Sequence, residues 1–264
     1  MSFQFLTITR NGPIATVTLN RPDKLNALSI ALMEEIYEAA DQFHQDTETR
    51  AIIFTGAGRY FSAGADLADP ARHAVRQESL LMRQRQTTLG QRVIKKLLDI
   101  DQITIAAING GALGGAACIV SALDIRLGAD TSFVSYPEID LGMNLSWYGL
   151  PLCVHLVGPN RAKRLVILGN KEAANTLLTW GFLDEVVPEA TLLNRAQELA
   201  AEYASKPPIA AQMIKRSVNA ISSALDQSIM HMDIDQLLLT STTEDSAEGV
   251  QAVLEKRKPE FKGR

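Results

Sequence analysis

The chain has 264 residues, 46% hydrophobic and 21% charged, which fits one large globular domain or a domain with an appendage. A net charge of −4 and a pI near 5.6 give no electrostatic reason to expect nucleic acid or an anionic membrane as partner. Its two cysteines, Cys118 and Cys153, fit a reduced intracellular protein rather than a disulfide framework. Met1-Ser2-Phe3-Gln4-Phe5 carries neither a basic n-region nor an Arg-rich transit segment, so a cytoplasmic location is expected.

Residues 3–10 and 14–20 alternate in polarity around Asn11-Gly12-Pro13, predicting a hairpin. Ser29 is placed to cap a helix whose Leu32, Met33, Ile36, Ala39, Ala40 and Phe43 share one face. A buried strand over 51–55 leads to Phe61-Ser62-Ala63-Gly64-Ala65-Asp66. Residues 75–98 read as one helix, with Leu89, Val93 and Leu97 at i, i+4 and i+8. Its Arg83, Arg85, Arg92, Lys95 and Lys96 are expected on a solvated face. A second apolar run, Ile103–Ile108, leads to Asn109-Gly110-Gly111-Ala112-Leu113-Gly114-Gly115-Ala116-Ala117. The stretch 103–123 carries no charge and is long enough to cross a bilayer. Its glycines, Asn109, the flanking Asp101 and Asp124 and the lack of a basic anchor favour a strand, a glycine turn and a packed helix.

Short strands are predicted around 125–127 and 132–134, short helices over Gly149–Val157 and 161–168, and a last strand over Glu185–Val187. Past Thr191 come four helices, at Leu192–Ala204, 208–224, 229–241 and 244–257. In the last, Glu244 and Asp245 open the helix and Lys256, Arg257 and Lys258 close it, matching the macrodipole. Periodicity alone gives α/β followed by α.

The two glycine-containing segments carry the chemistry. Each follows a buried strand and precedes a helix with almost no side-chain bulk, which leaves backbone N–H groups open to a ligand oxygen. Two such groups aimed at one point bind a developing oxyanion, and a helix N-terminus adds its dipole. No Lys-Ser/Thr follows Gly115 as a P-loop needs, and neither G-x-G-x-x-G nor G-x-S-x-G occurs. His44, His73, His155 and His231 are scattered without ligand spacing, so no metal is expected.

These segments resemble the crotonase superfamily, the enoyl-CoA hydratase/isomerase family. So do Asn20-Arg21-Pro22-Asp23-Lys24-Leu25-Asn26-Ala27-Leu28, Pro137-Glu138-Ile139-Asp140-Leu141-Gly142, Trp180-Gly181-Phe182-Leu183-Asp184-Glu185-Val186-Val187-Pro188 and the closing residues 255–264. The resemblance runs nearly end to end. It implies a crotonase-like α/β fold: a spiral of ββα units over 1–204 holding an acyl-CoA site, then a C-terminal all-helical trimerisation region over 205–264. It also implies a homotrimer or dimer of trimers, with no cofactor beyond the CoA thioester of the substrate.

By motif position the resemblance puts the oxyanion donors on the N–H groups of Ala65 and Gly115 and the catalytic base on Glu138. Family hydratases carry a second glutamate where this chain has Cys118, and a buried thiol is a poor water-activating base. Asp140, Asn144 or Ser146 stand as a possible second group. Trp147 and Tyr148 replace small residues at the acyl pocket, where Cys118 also falls, either as core aromatics or as walls of a reshaped pocket in which Asn144 or Ser146 holds water or a polar acyl group. Lys24, Leu25, Ala27, Ala63, Asp66 and Leu67 fall at CoA-binding positions, and Lys258 and Phe261 resemble tail residues that reach a neighbour's CoA. The expected activity is isomerisation of a 3-enoyl-CoA by one glutamate. The alternatives are a hydratase or hydratase-like lyase with a non-standard second group, and a non-catalytic acyl-CoA-binding or RNA-binding relative.

Overall fold

The computed structural model describes residues 3–264, except for the side chains of His73, Arg76 and Gln227. Among the described residues the strands are β1 (Leu6–Asn11), β2 (Ile14–Leu19), β3 (Ala51–Gly56), β4 (Tyr60–Ser62), β5 (Ile103–Ile108), β6 (Gly111–Leu113), β7 (Ile125–Ala129), β8 (Phe133–Ser135), β9 (Glu172–Ala173) and β10 (Glu185–Val187). The helices are α1 (Ile30–Gln45), α2 (Pro70–Arg76), α3 (Leu80–Thr87), α4 (Leu89–Leu98), α5 (Gly115–Ala122), α6 (Gly149–Val157), α7 (Pro159–Leu168) and α8 (Ala174–Trp180). They continue with α9 (Leu192–Ala204), α10 (Pro208–Ser222), α11 (Gln227–Met230), α12 (Asp233–Thr240) and α13 (Glu244–Glu255).

Two sheets result, ordered β1-β2-β3-β5-β7-β10 and β4-β6-β8-β9. Apart from the β1–β2 hairpin and the β8–β9 pair, neighbouring strands run parallel. The pairs β3–β4, β5–β6 and β7–β8 each place one strand in the large sheet and the next in the small one. Helices then carry the chain to the next turn, as parallel pairing requires. This is the ββα spiral the resemblance implies.

Both faces of the central strands β3 and β5 are covered, so these two read as nearly continuous apolar runs. In β3, Ala51 and Ile53 pack against α9 through Leu192, Ala196 and Ala200, while Ile52 and Phe54 turn to the main core. The six predicted face residues of α1 are all buried. Ser29 caps α1 by accepting the Leu32 N–H at 3.2 Å, a contact typically worth about 1 kcal/mol.

The structure corrects several local readings. The helix expected over 75–98 is three helices, because Asp69 caps α2 and Ser79 caps α3. Arg83 is half-buried rather than on a solvated face. The helix expected over 229–241 is split between α11 and α12. Gly111–Leu113, expected as a turn, pairs as β6. No described helix is long and apolar enough to cross a membrane, and the uncharged run 103–123 is divided among β5, β6 and α5.

Lys215 anchors α10 to the spiral. Its Nζ donates to the Gln102 carbonyl at 2.8 Å and lies 2.7 Å from Asp124 Oδ2. Burial pulls the Lys215 pKa down, and Asp124 opposes that pull. The outward face of α10 is apolar: Ile209, Met213, Ile214, Val218 and Ile221 are 55–78% exposed. Beyond it α12 turns back against α3, and α13 against the 3-10 turn Pro137–Leu141.

Candidate active site

Parallel pairing of β4 with β6 sets the two glycine-containing segments side by side. At Gly64, φ is +83° and a Cβ would stand 2.5 Å from the Leu113 carbonyl oxygen, so only glycine permits this approach. The Leu28 N–H donates to Gly64 O at 2.7 Å, and the Asp66 N–H donates to Leu28 O at 3.1 Å. These bonds flank Ala65 and leave its own N–H directed away from Leu28. Gly114, at φ +55°, caps α5, so the Gly115 N–H opens the helix without an intrahelical acceptor. Among the described residues neither N–H meets a protein acceptor. Ala65 and Gly115 both line a cavity of about 220 Å³.

Glu138 enters the same cavity. It sits in the turn Pro137–Leu141, which Gly142 ends at φ +63°. Its carboxyl lies against the second segment: a Cβ on Gly114 would stand 2.8 Å from Oε1. Oε2 is closed off from solvent without a hydrogen-bond partner. Burial pushes the Glu138 pKa up to about 7, against a smaller downward pull from its own backbone N–H. A carboxyl poised there takes and returns a proton near neutrality. α13 braces the turn, since a Cβ on Gly142 or on Gly249 would stand 2.7 Å from Asp245 or Asp140 backbone. Gly249, an isolated glycine in a helical pattern, was the overlooked sign of that approach.

Cys118 also lines the cavity, and its Sγ donates to the Ser146 carbonyl at 3.7 Å. Burial, then the nearby Glu138 charge, push the thiol well above its ordinary range, so it stays protonated. Asn144, Ser146 and Trp147 line the cavity too. The Asn144 carboxamide is tied to α12, donating to Gln236 Oε1 and accepting from Thr240 Oγ1, both at 3.3 Å. Asp140 does not join them. It is exposed and lies outside the cavity lining, because the 3-10 turn directs it toward Gly169. Tyr148 is buried outside the lining, with Lys95 Nζ 4.9 Å from its ring centroid.

The CoA-position residues gather along the edge of the first segment. Lys24 is exposed at the end of a 3-10 turn. The Ala63 N–H donates to Leu25 O at 2.9 Å. Asn26, at φ +54°, pins this loop by donating to Ala57 O and Tyr60 O, both at 2.8 Å. Arg21 bonds the Ala27 carbonyl and pairs with Asp66 at 3.0 Å. Leu67 reaches the cavity. Lys258 and Phe261 lie apart, exposed in a tail that returns along α13. There Asp245 accepts the N–H groups of Lys262 and Gly263 at 2.6 and 2.8 Å.

Arg72, Arg83, Met143, Leu237 and Ser241 line the cavity without having been singled out from the sequence as site residues. They come from α2, α3, the loop after Gly142 and the end of α12, and only Leu237 and Ser241, four residues apart, share a helical spacing. Among the described residues no group of His, Cys, Asp and Glu is arranged to hold a metal ion.

A family model described as enoyl-CoA hydratase/isomerase matches residues 9–264. A short-chain-enoyl-CoA hydratase of Clostridium acetobutylicum is 30% identical over 100% of both chains. A 1,2-epoxyphenylacetyl-CoA isomerase of Escherichia coli (strain K12) is 30% identical over 95% of each. Carnitinyl-CoA hydratase from Mycobacterium avium, a solved structure, is similar with a TM-score of 0.85 at 30% identity, covering 100% of each chain.

Proposed function

This chain belongs to the enoyl-CoA hydratase/isomerase family, and we propose that it shifts the double bond of a 3-enoyl-CoA to the 2-position with Glu138 as its one acid–base group. The observation that carries this reading is that Glu138 is the one carboxylate among the described residues lining the cavity. The thioester oxygen accepts the N–H groups of Ala65 and Gly115. Glu138 takes a proton from the α-carbon, and the released electron pair spreads through a dienolate whose charge rests on that oxygen. The same carboxyl returns the proton to the γ-carbon as the 2,3 double bond forms. Glutamate is regenerated, and neither water nor a cofactor is consumed. A pKa of about 7 suits both strokes.

A second reading, hydration of a 2-enoyl-CoA, draws support from the hydratase name of the Clostridium relative and from Asn144 and Ser146 in the cavity. It requires water to be held and deprotonated, and the protonated Cys118 thiol does not supply that. Panels of 3-enoyl- and 2-enoyl-CoA, followed separately for double-bond migration and water uptake, separate the two. Isomerisation is expected to dominate, and Cys118→Ser to leave it nearly unchanged. Efficient hydration that survives Cys118→Ser would overturn the single-base reading.

The same reading gives a cytoplasmic homotrimer or dimer of trimers, with 1–204 as the spiral core and 205–264 as the assembling helical region. The uncovered apolar face of α10 supports the assembly. It also assigns Lys24, Leu25, Ala27, Ala63, Asp66 and Leu67 to CoA, with Lys258 and Phe261 reaching a neighbour's CoA. Deleting the tail after Arg257 is therefore expected to raise the Kd for CoA esters more than it lowers kcat. Unaltered affinity would reduce both tail residues to surface.

A further inference from the structure

Trp147 and Tyr148 are consecutive bulky residues in the left-handed region, at φ +61° and +55°. Large side chains adopt that backbone only where the surroundings hold it. The holding group is Asp233, the first residue of α12 and 7% exposed. Its Oδ2 accepts the Tyr148 N–H at 3.1 Å and the Gln91 side-chain amide at 3.0 Å. One carboxylate thus joins the C-terminal helices, α4 and the strained pair.

The twist drives the Trp147 indole into a slot between two glycines. A Cβ on Gly90 would stand 2.0 Å from indole Cε2, and a Cβ on Gly115 would stand 2.4 Å from Cζ3. Gly90 lies in the first turn of α4, and the indole occupies the space its side chain would fill. The indole is therefore packed between α4 and the oxyanion segment, with one surface on the cavity that holds Glu138. We propose that Trp147 is the wall that limits this site to short acyl groups, and that Asp233 is the positioning residue that keeps the indole there. The proposal rests on the acyl-CoA reading above. It is indifferent to whether the reaction is isomerisation or hydration.

The test uses unreactive saturated esters, butyryl-CoA and octanoyl-CoA, with Kd measured by calorimetry on the full chain. Wild type is expected to bind butyryl-CoA at least about tenfold tighter than octanoyl-CoA, and Trp147→Ala to abolish or invert that ratio. Asp233→Ala should shift the ratio the same way, and combining it with Trp147→Ala should add nothing, since both act through one wall. Asp233→Asn keeps an oxygen for the Tyr148 N–H and should hold the ratio near wild type. Gly90→Ala supplies a second probe that leaves Asp233 intact should Asp233→Ala fail to fold. It should disturb the ratio alone and have no further effect beside Trp147→Ala. An unchanged ratio in Trp147→Ala overturns the wall. Additive effects of Trp147→Ala with either Asp233→Ala or Gly90→Ala overturn the positioning. Wild type binding neither ester would instead remove the acyl-CoA reading on which both stand.

Discussion

Glu138→Gln is expected to lower kcat by about 10²–10⁴-fold, the usual contribution of a positioned acid–base group, while the Kd for a CoA ester changes only several-fold. Glutamine matches the glutamate in shape and can keep its place beside Gly114, but it cannot take the α-proton. On the proposed reading the main grip on the ester is on its nucleotide and pantetheine, so the loss should fall on kcat rather than on binding. Wild-type kcat/KM should rise with pH through about 7 as the carboxyl ionises, and the variant should lack this limb. Stability moves the opposite way. The folded carboxyl holds its proton up to about 7, whereas its ordinary value is 4.5. The folded state therefore binds the extra proton between those values, and stability falls as pH rises through that window. The full cost above it is about 3 kcal/mol. Glu138→Gln lacks that cost, so urea melts should show the variant more stable than wild type at pH 8, with the difference closing toward pH 4.5. Near-wild-type turnover would remove Glu138 from the mechanism, and equal stability at pH 8 would show that its burial carries no such cost.

What the sequence made legible was whatever repeats locally. The hairpin and α1 carry a periodic pattern and the central strands β3 and β5 are short apolar runs, and the structure places them close to where those patterns do. The paired glycine segments were legible because missing side chains mark backbone that must be approached. Strands β4, β6 and β9 were not, since their pairing is decided by distant partners and none carries the β-branched valine that marks the equally short β8 and β10. Arg83 looked like surface because its helix breaks at Ser79, a change of direction that one helical reading of 75–98 could not contain. Asp140 looked like a partner for Glu138 because it lies only two positions further on, but a 3-10 turn sends the pair to different sides. Gly90 and Gly249 carried a signal that went unread. Each permits a contact with an element far along the chain, and a lone glycine does not name that element.

Gly115→Val is expected to damage folding and catalysis together, for a reason the sequence did not contain. From the sequence, the small residue seemed needed so that backbone could approach the thioester oxygen. In the structure the first obstacle is the Trp147 indole, with Cζ3, Cη2 and Cε3 at 2.4, 2.8 and 2.9 Å from the position of a Cβ. The indole cannot retreat, because its other side fills the space left by Gly90. Either Trp147 is expelled or the start of α5 shifts. Overpacking of this kind costs typically about 1–3 kcal/mol, so Tm should fall. A shifted α5 misaims the Gly115 N–H, and loss of one oxyanion donor lowers kcat by about 10²–10³-fold. Measuring Tm and kcat for Gly115→Val in wild-type and Trp147→Ala backgrounds separates the two effects. Room made by removing the indole should restore much of the Tm. Recovery of kcat as well would show that displacement of α5, rather than bulk beside the thioester, had disabled the donor. Tm restored with kcat still low would return the argument to the side chain crowding the oxygen. Unchanged rate and stability in the single variant would place the oxyanion hole elsewhere.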